Sequence, residues 1–301
     1  MGGERQTEAT KDSHDAGVVA RRAVRTPDGL LLAVDESGPA EAPTVVLMHG
    51  GGQTRYSWSG AMRALSGAGY RVLSFDARGH GESHWSPAGD YLLDHRVSDL
   101  RAVVGDARPL ALVGASLGGA TALHAVAQGL AADVVVLVDI TPVAEAAGIA
   151  RVVGFMKRHQ EGFASIEEAA EAVAAYNPHR PRPRDPAGLR RNLREHADGR
   201  LRWHWDPLTV ATEPEVHHAV VRASAARIAA GAPFPLLLVR GLSSDVVSDA
   251  SVAAFRAQFP WASVADVAGA GHMIAGDRND AFNAAMLDFL ARHLPATQGA
   301  A

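Results

Sequence analysis

The sequence predicts an open, doubly wound α/β fold: a mostly parallel sheet of eight strands with an inserted helical segment. Three observations carry this expectation. Short, nearly continuous Val/Leu/Ile runs, such as Val134–Val138 and residues 236–239, recur between helix-like stretches, the pattern of strands buried on both faces. The rhythm breaks once, from residue 141 to 233, where helical patterns run without a convincing strand. It then resumes to the end of the chain, and no internal repeat interrupts it.

The elements follow in order. Residues 18–24 and 30–34 are strand-like, and Thr26-Pro27-Asp28-Gly29 between them is a turn. Pro presets φ there, and Asp and Gly tolerate the tight bend, which reads as a hairpin. Residues 43–48 form a buried-strand run that ends in His49-Gly50-Gly51-Gly52. Helical pattern at 56–67, a strand at 70–75, helix at 91–104, strand at 110–114 and helix at 118–128 follow, then the strand at 134–140. In the insert, 149–158, 165–175 and 216–230 are helical, and Ser165 with Glu168 matches a capping box. Prolines hold 177–186 extended. A strand at 235–240, a helix at 250–258, a strand at 262–267 and a helix at 280–294 close the fold. The expected organisation is a tail over 1–16, a core over 17–140 and 234–301, and a helical cap over 141–233. An insertion at the C-terminal strand edge lies over the crevice where such sheets bind ligands.

Composition narrows the function. Lys+Arg is 29 against 33 Asp+Glu, a net charge of −4, which disfavours nucleic acid and anionic membranes as partners. With no cysteine there is no disulfide, thiolate nucleophile or Cys-ligated metal. No apolar run reaches the ~18 residues of a membrane span, and residues 1–17 lack the apolar stretch of a signal peptide. The expectation is a cytoplasmic protein without membrane insertion.

The sharpest chemical signal is Gly114-Ala115-Ser116-Leu117-Gly118-Gly119, which matches G-x-S-x-G between a strand and a helix. Small residues on either side let the chain turn sharply and lift the Ser116 hydroxyl above the helix N-terminus, whose positive end favours developing negative charge. A serine hydroxyl needs a base. His272, in the flexible Gly-rich loop Ala268-Gly269-Ala270-Gly271-His272-Met273, is the candidate. His14, His159, His179, His196, His217 and His218 fall in the tail or in polar, surface-like stretches, and His49 and His80 sit in loop motifs. The imidazole in turn needs a carboxylate. Asp245, after the strand at 235–240, gives the chain order Ser116, Asp245, His272; the rival is Asp139, at the end of Val134–Val138. Asp249 is expected to cap the helix that follows it. Backbone N–H groups of Gly51 and Leu117 are placed to hold an oxyanion, with Gly52 the alternative to Gly51. No G-x-x-x-x-G-K-[ST] motif supports a nucleotide loop.

With these motifs in this order, the chain resembles the α/β-hydrolase superfamily over roughly residues 18–295. The likeness is to the capped serine-hydrolase branch of esterases, C–C hydrolases and haloperoxidase-like enzymes. It includes Asp76-Ala77-Arg78-Gly79-His80-Gly81-Glu82-Ser83, similar to that branch's D-x-R-G-x-G-x-S loop, and implies a structural role for Asp76, Arg78 and His80. Epoxide hydrolases of the branch use an Asp nucleophile and paired lid tyrosines, whereas this chain has Ser116 and the single insert tyrosine Tyr176. The resemblance implies a small acyl or ester substrate, a Ser-His-Asp triad and an acyl-enzyme, with no metal or cofactor. C–C cleavage of a vinylogous diketone, perhydrolase chemistry, or a non-catalytic ligand-binding member of the fold are the alternatives. Trp58, Phe155, Met156, Trp203, Trp205 and Met273 are candidates for an apolar substrate pocket. Arg180, Arg182, Arg184, Arg190, Arg191 and Arg194 make the insert locally basic, either a solvated face or a carboxylate-binding one.

Overall fold

The computed structural model describes residues 19–176, 186–272 and 279–296. The expected tail, the proline-rich stretch at 177–185 and Met273 lie outside the described residues. Eight strands form one sheet: β1 Ala20–Arg25, β2 Leu31–Ser37, β3 Thr44–Met48, β4 Arg71–Phe75, β5 Leu110–Ala115, β6 Val134–Val138, β9 Leu236–Gly241 and β10 Ser263–Val267. Their order is β1-β2-β4-β3-β5-β6-β9-β10. β1 and β2 pair antiparallel, as do β2 and β4, and every other pairing is parallel. The Thr26–Gly29 turn closes as expected: Gly29 has φ +90° and donates to the Thr26 carbonyl at 2.9 Å.

The period-two rule sorts the central strands onto two helix layers. Val46, Met48, Leu112, Val135, Leu137 and Leu238 face one layer, built on α2 Leu93–Val104, α3 Leu117–Ala127 and α7 Asp249–Gln258. Val45, Leu47, Ala111, Val113, Val136 and Val239 face the other, built on α1 Ser59–Gly67 and α8 Asn279–His293. Burial on both faces explains why these strands read as unbroken apolar runs.

Between the adjacent strands β6 and β9 lie α4 Ala146–Lys157, α5 Ile166–Tyr176, a two-stranded hairpin and α6 Pro214–Ala229. The hairpin, β7 Leu193–Glu195 and β8 Leu201–Trp203, corrects the expectation of a strand-free insert. Its strands are three residues long, too short for alternation to show, and Phe163 extends the pairing through two backbone bonds to Leu201. Met156, Phe163, Ala169, Trp203, Trp205 and Val210 form a separate apolar cluster in this segment. The helix α6 behaves differently. Its Val221, Ala225 and Ile228 join the main core, so this part of the expected insert belongs to the helix layer under the sheet. At the start of α5, Ser165 Oγ accepts from Glu168 N, while the Glu168 carboxylate reaches back to Ala164 N, a capping box displaced by one residue. The cap of α7 is Ser248, which accepts from Ser251 N; Asp249 instead pairs with Arg240. No helix among the described residues is long and apolar enough to cross a membrane.

Candidate active site

β5 delivers Ser116 to the N-terminus of α3 with φ +45° and ψ −110°, a conformation a non-glycine residue adopts only under constraint. The neighbouring glycines supply that constraint. A Cβ on Gly114 would lie 2.4 Å from Gly118 C, one on Gly118 would lie 2.3 Å from the Met48 carbonyl oxygen, and one on Gly119 would lie 2.4 Å from Ile140. The turn therefore closes only without side chains, which is the physical content of the motif. Ser116 N donates to the Val138 carbonyl at 3.1 Å and ties the turn to β6.

The loop after β10 brings His272 to the same place. Its Nδ1 lies 2.7 Å from Asp139 Oδ2. Asp139 is fully buried at the end of β6, and Gly241 N and the Ser244 hydroxyl, at 3.2 and 2.5 Å, also donate to its carboxylate. Like Ser116, Asp139 has positive φ, +50°, held by a bond from its N–H to the Val239 carbonyl. A carboxylate on Nδ1 fixes the ring proton there and leaves Nε2 as the basic nitrogen.

The structure does not bring the expected acid, Asp245, to His272. Asp245 is half-exposed and pairs with Arg151 at 2.5 Å. Burial opposes its ionisation, but the Arg151 guanidinium overrides that and holds the carboxyl below its usual pKa. The cause lies in α4, which crosses the Asp245 loop so closely that a Cβ on Gly148 would lie 2.1 Å from the Asp245 carbonyl oxygen. Arg151, one turn later, is thereby brought onto the carboxylate.

Gly51, Ser116, Leu117 and His272 line one cavity of about 220 Å³. Of the three glycines after His49, Gly50 donates its N–H to Gln53 Oε1 and Gly52 donates to His80 Nε2. Gly51 is the one that faces the cavity, beside Leu117. Behind this loop stand three buried imidazoles, His49, His80 and His204, with ring centroids 5.2 and 5.9 Å apart. Each holds backbone. His49 Nε2 accepts from Ala77 N, His80 Nε2 from Gly52 N and His204 Nδ1 from Gly81 N, and His204 Nε2 faces the Gly52 carbonyl. Burial lowers the pKa of all three, with His204 held at about 3, so they are neutral. The Asp76–Ser83 loop is structural as expected. Asp76 accepts from Arg55 and from Glu82 N, and a Cβ on Gly81 would lie 2.1 Å from Asp76 Oδ2. Arg78 grips Asp99 with two bonds of 2.7 and 2.6 Å.

The aromatic candidates stand elsewhere. Trp58 is in the main core against Phe282. Phe155 stacks on Tyr176, and Trp203 stacks on Trp205 at 4.9 Å within the insert's own cluster. Trp205 also backs the oxyanion loop, 3.4 Å from where a Gly52 Cβ would be. The cavity wall is instead aliphatic, with Ile149, Val152, Val153 and Met156 of α4, Val221 of α6 and Val246. Of the basic residues, Arg191 lies over the Tyr56 ring and Arg194 over Trp85, away from the cavity; Arg180, Arg182 and Arg184 are outside the described residues. Four basic lining residues were not expected: Arg96, His217, His218 and Arg222. The last three share α6, and a helix that presents a polar face to a cavity has the same sequence pattern as one that presents it to solvent.

The chain has relatives among known hydrolases. It is 31% identical over 265 residues to esterase Rv0045c of Mycobacterium tuberculosis, covering 84% of each chain. It is 30% identical over 275 residues to the mouse sn-1-specific diacylglycerol lipase ABHD11, covering 84% of this chain and 83% of that one. A solved structure of the M. tuberculosis esterase superposes with a TM-score of 0.70 at 26% identity, covering 92% of this chain and 93% of that one. An E-2-(acetamidomethylene)succinate hydrolase shares the fold, with a TM-score of 0.77 at 24% identity over 90% and 99% of the two chains. The model of the alpha/beta hydrolase family matches residues 45–285. With an eight-stranded sheet of the expected topology and an elbow serine at the crest of its central strand, the chain is a hydrolase of the alpha/beta hydrolase family.

Proposed function

We propose that the protein is a serine esterase whose triad is Ser116, His272 and Asp139. The observation that carries this reading is the Asp139–His272 contact of 2.7 Å beside the cavity that holds the strained Ser116. His272 Nε2 takes the Ser116 proton as Oγ attacks the ester carbonyl carbon. The N–H groups of Gly51 and Leu117 hold the oxyanion, and the N-terminus of α3 adds its positive end. His272 then gives the proton to the departing alcohol. Water, deprotonated by His272, attacks the acyl-enzyme, and the acid leaves as Ser116 regains its proton. Asp139, which accepts from three donors, orients His272 and faces the imidazolium formed in each step. The relatives named esterase and lipase support ester chemistry over the other reactions open to this triad. Among the described residues of the insert, α4 with Thr209, Val210 and Thr212 covers the aliphatic cavity as its lid.

A fluorophosphonate probe tests the reading. One equivalent is expected on Ser116 by mass spectrometry, with none on Ser116→Ala and slow labelling of His272→Ala. A wild-type protein that neither labels at Ser116 nor hydrolyses a 4-nitrophenyl ester overturns it.

A further inference from the structure

The cavity carries basic residues that ester hydrolysis does not use. Its described lining includes Arg96, Arg222, His217 and His218 beside His80 and His272, and none of its described residues is Asp or Glu. Arg222 has a partner outside the cavity in Glu215. Arg96 has none. It sits on α2 and is 4% exposed. Its Nε donates to the Tyr91 carbonyl at 3.1 Å, while Nη1 is buried without a hydrogen-bond partner. Asp99, one turn on, is already taken by both branches of the Arg78 guanidinium. Burial pushes Arg96 down to about 10, with Asp99 offsetting only part of this. The neighbouring His217 is held at about 4 by burial and by the Arg96 charge. At neutral pH, Arg96 is thus a fixed cation with a free donor, in a wall that offers no counter-charge.

We propose that Arg96 binds a carboxylate carried by the substrate, so that the enzyme prefers esters bearing a free carboxylate over neutral esters of the same size. The inference rests on the serine-esterase reading above and names its substrate class. One guanidinium balances one carboxylate charge, and its paired N–H groups match the carboxylate oxygens in geometry. In a desolvated, acid-free cavity that attraction is weakly screened, and the aliphatic wall of α4 covers the chain between the carboxylate and the ester.

Two ester pairs place the carboxylate on either side of the scissile bond. On the acid side, 4-nitrophenyl hydrogen adipate is compared with 4-nitrophenyl hexanoate; on the alcohol side, 4-acetoxybenzoate with 4-methylphenyl acetate. For one of the pairs the wild-type kcat/KM is expected to favour the carboxylate member about 10- to 100-fold, the scale of a hydrogen bond to a charged group. Arg96→Met should bring that ratio close to one, and Arg96→Lys should keep part of it. A preference that survives in Arg96→Met, or no preference in either pair, overturns the proposal. A thermal shift with free adipate reads the same site without turnover. Wild type should be stabilised and Arg96→Lys less so, and an absent wild-type shift counts against the site. An enzyme that labels at Ser116 and turns over neutral esters only would defeat the carboxylate site and leave the esterase reading standing. Loss of labelling and turnover together, with an adipate shift that needs Arg96, would do the reverse.

Discussion

The Ser244 hydroxyl lies 2.5 Å from Asp139 Oδ2, so the loop that carries Asp245 spends its polar reach on the carboxylate of the preceding strand. Asp245 itself turns outward to Arg151. Of the two acids that follow strands, one meets His272 and the other meets Arg151.

Asp139→Asn is expected to lower kcat on a 4-nitrophenyl ester about 10⁴-fold, because the amide favours the wrong His272 tautomer. Asp245→Asn should stay within about threefold, since it loses one half-exposed ion pair. Steady-state kinetics on both variants decide the acid, and a larger loss for Asp245→Asn would sink the assignment.

Ser116→Ala should keep the fold and lose about 10⁴- to 10⁶-fold in kcat, because triad members act as a unit. Circular dichroism and turnover on the same preparation check this. Retention of a tenth of the wild-type rate would exclude Ser116 as nucleophile.

Trp203→Ala and Trp205→Ala should each destabilise the protein by about 3–5 kcal/mol, the cost of removing a large buried aromatic. The stacked pair lies outside the cavity, so kcat/KM should fall to a similar degree for acetate and octanoate esters. A loss graded by ester size, with stability unchanged, would restore a pocket role to these rings.

Acid should weaken the fold through its buried histidines. Unfolded, each takes a proton near pH 6.5; folded, His49, His80 and His204 stay neutral well below that. The unfolded chain therefore binds more protons as the pH falls from 6.5, and folding stability drops with it. Each such histidine contributes up to about 1.4 kcal/mol per pH unit, and the His204 share continues to pH about 3. Urea midpoints between pH 7 and 5 measure the slope, which His204→Gln should reduce by about one proton. A midpoint independent of pH over this range would contradict neutral burial.

The parts of the site that were legible in the sequence are local. The elbow shows itself because Gly114, Gly118 and Gly119 must be glycines within six consecutive residues, and the strands because burial on both faces removes polar residues. The choice of acid was not legible. Asp139 and Asp245 both follow strands, and what separates them is Arg151, 94 positions from Asp245 in the chain. His217 and His218 read as surface residues because a polar helix face looks the same whether it meets solvent or a cavity. The aromatic residues misled because a small insert needs its own packing core, and Trp203 and Trp205 supply it.

The column of His49, His80 and His204 joins β8 to the oxyanion loop through Gly52 and Gly81. Asp206, two residues beyond His204, adds an anchor by donating its N–H to the Gly79 carbonyl and accepting from the Tyr91 hydroxyl at 2.5 Å. The hairpin is therefore tied to the loops beneath it by hydrogen bonds at both His204 and Asp206. The helix α4 is attached differently, through the close approach of Gly148 to the Asp245 loop and the Arg151–Asp245 pair. That pair is half-exposed, so raising the ionic strength weakens this attachment of α4 and leaves the buried anchors of the hairpin intact.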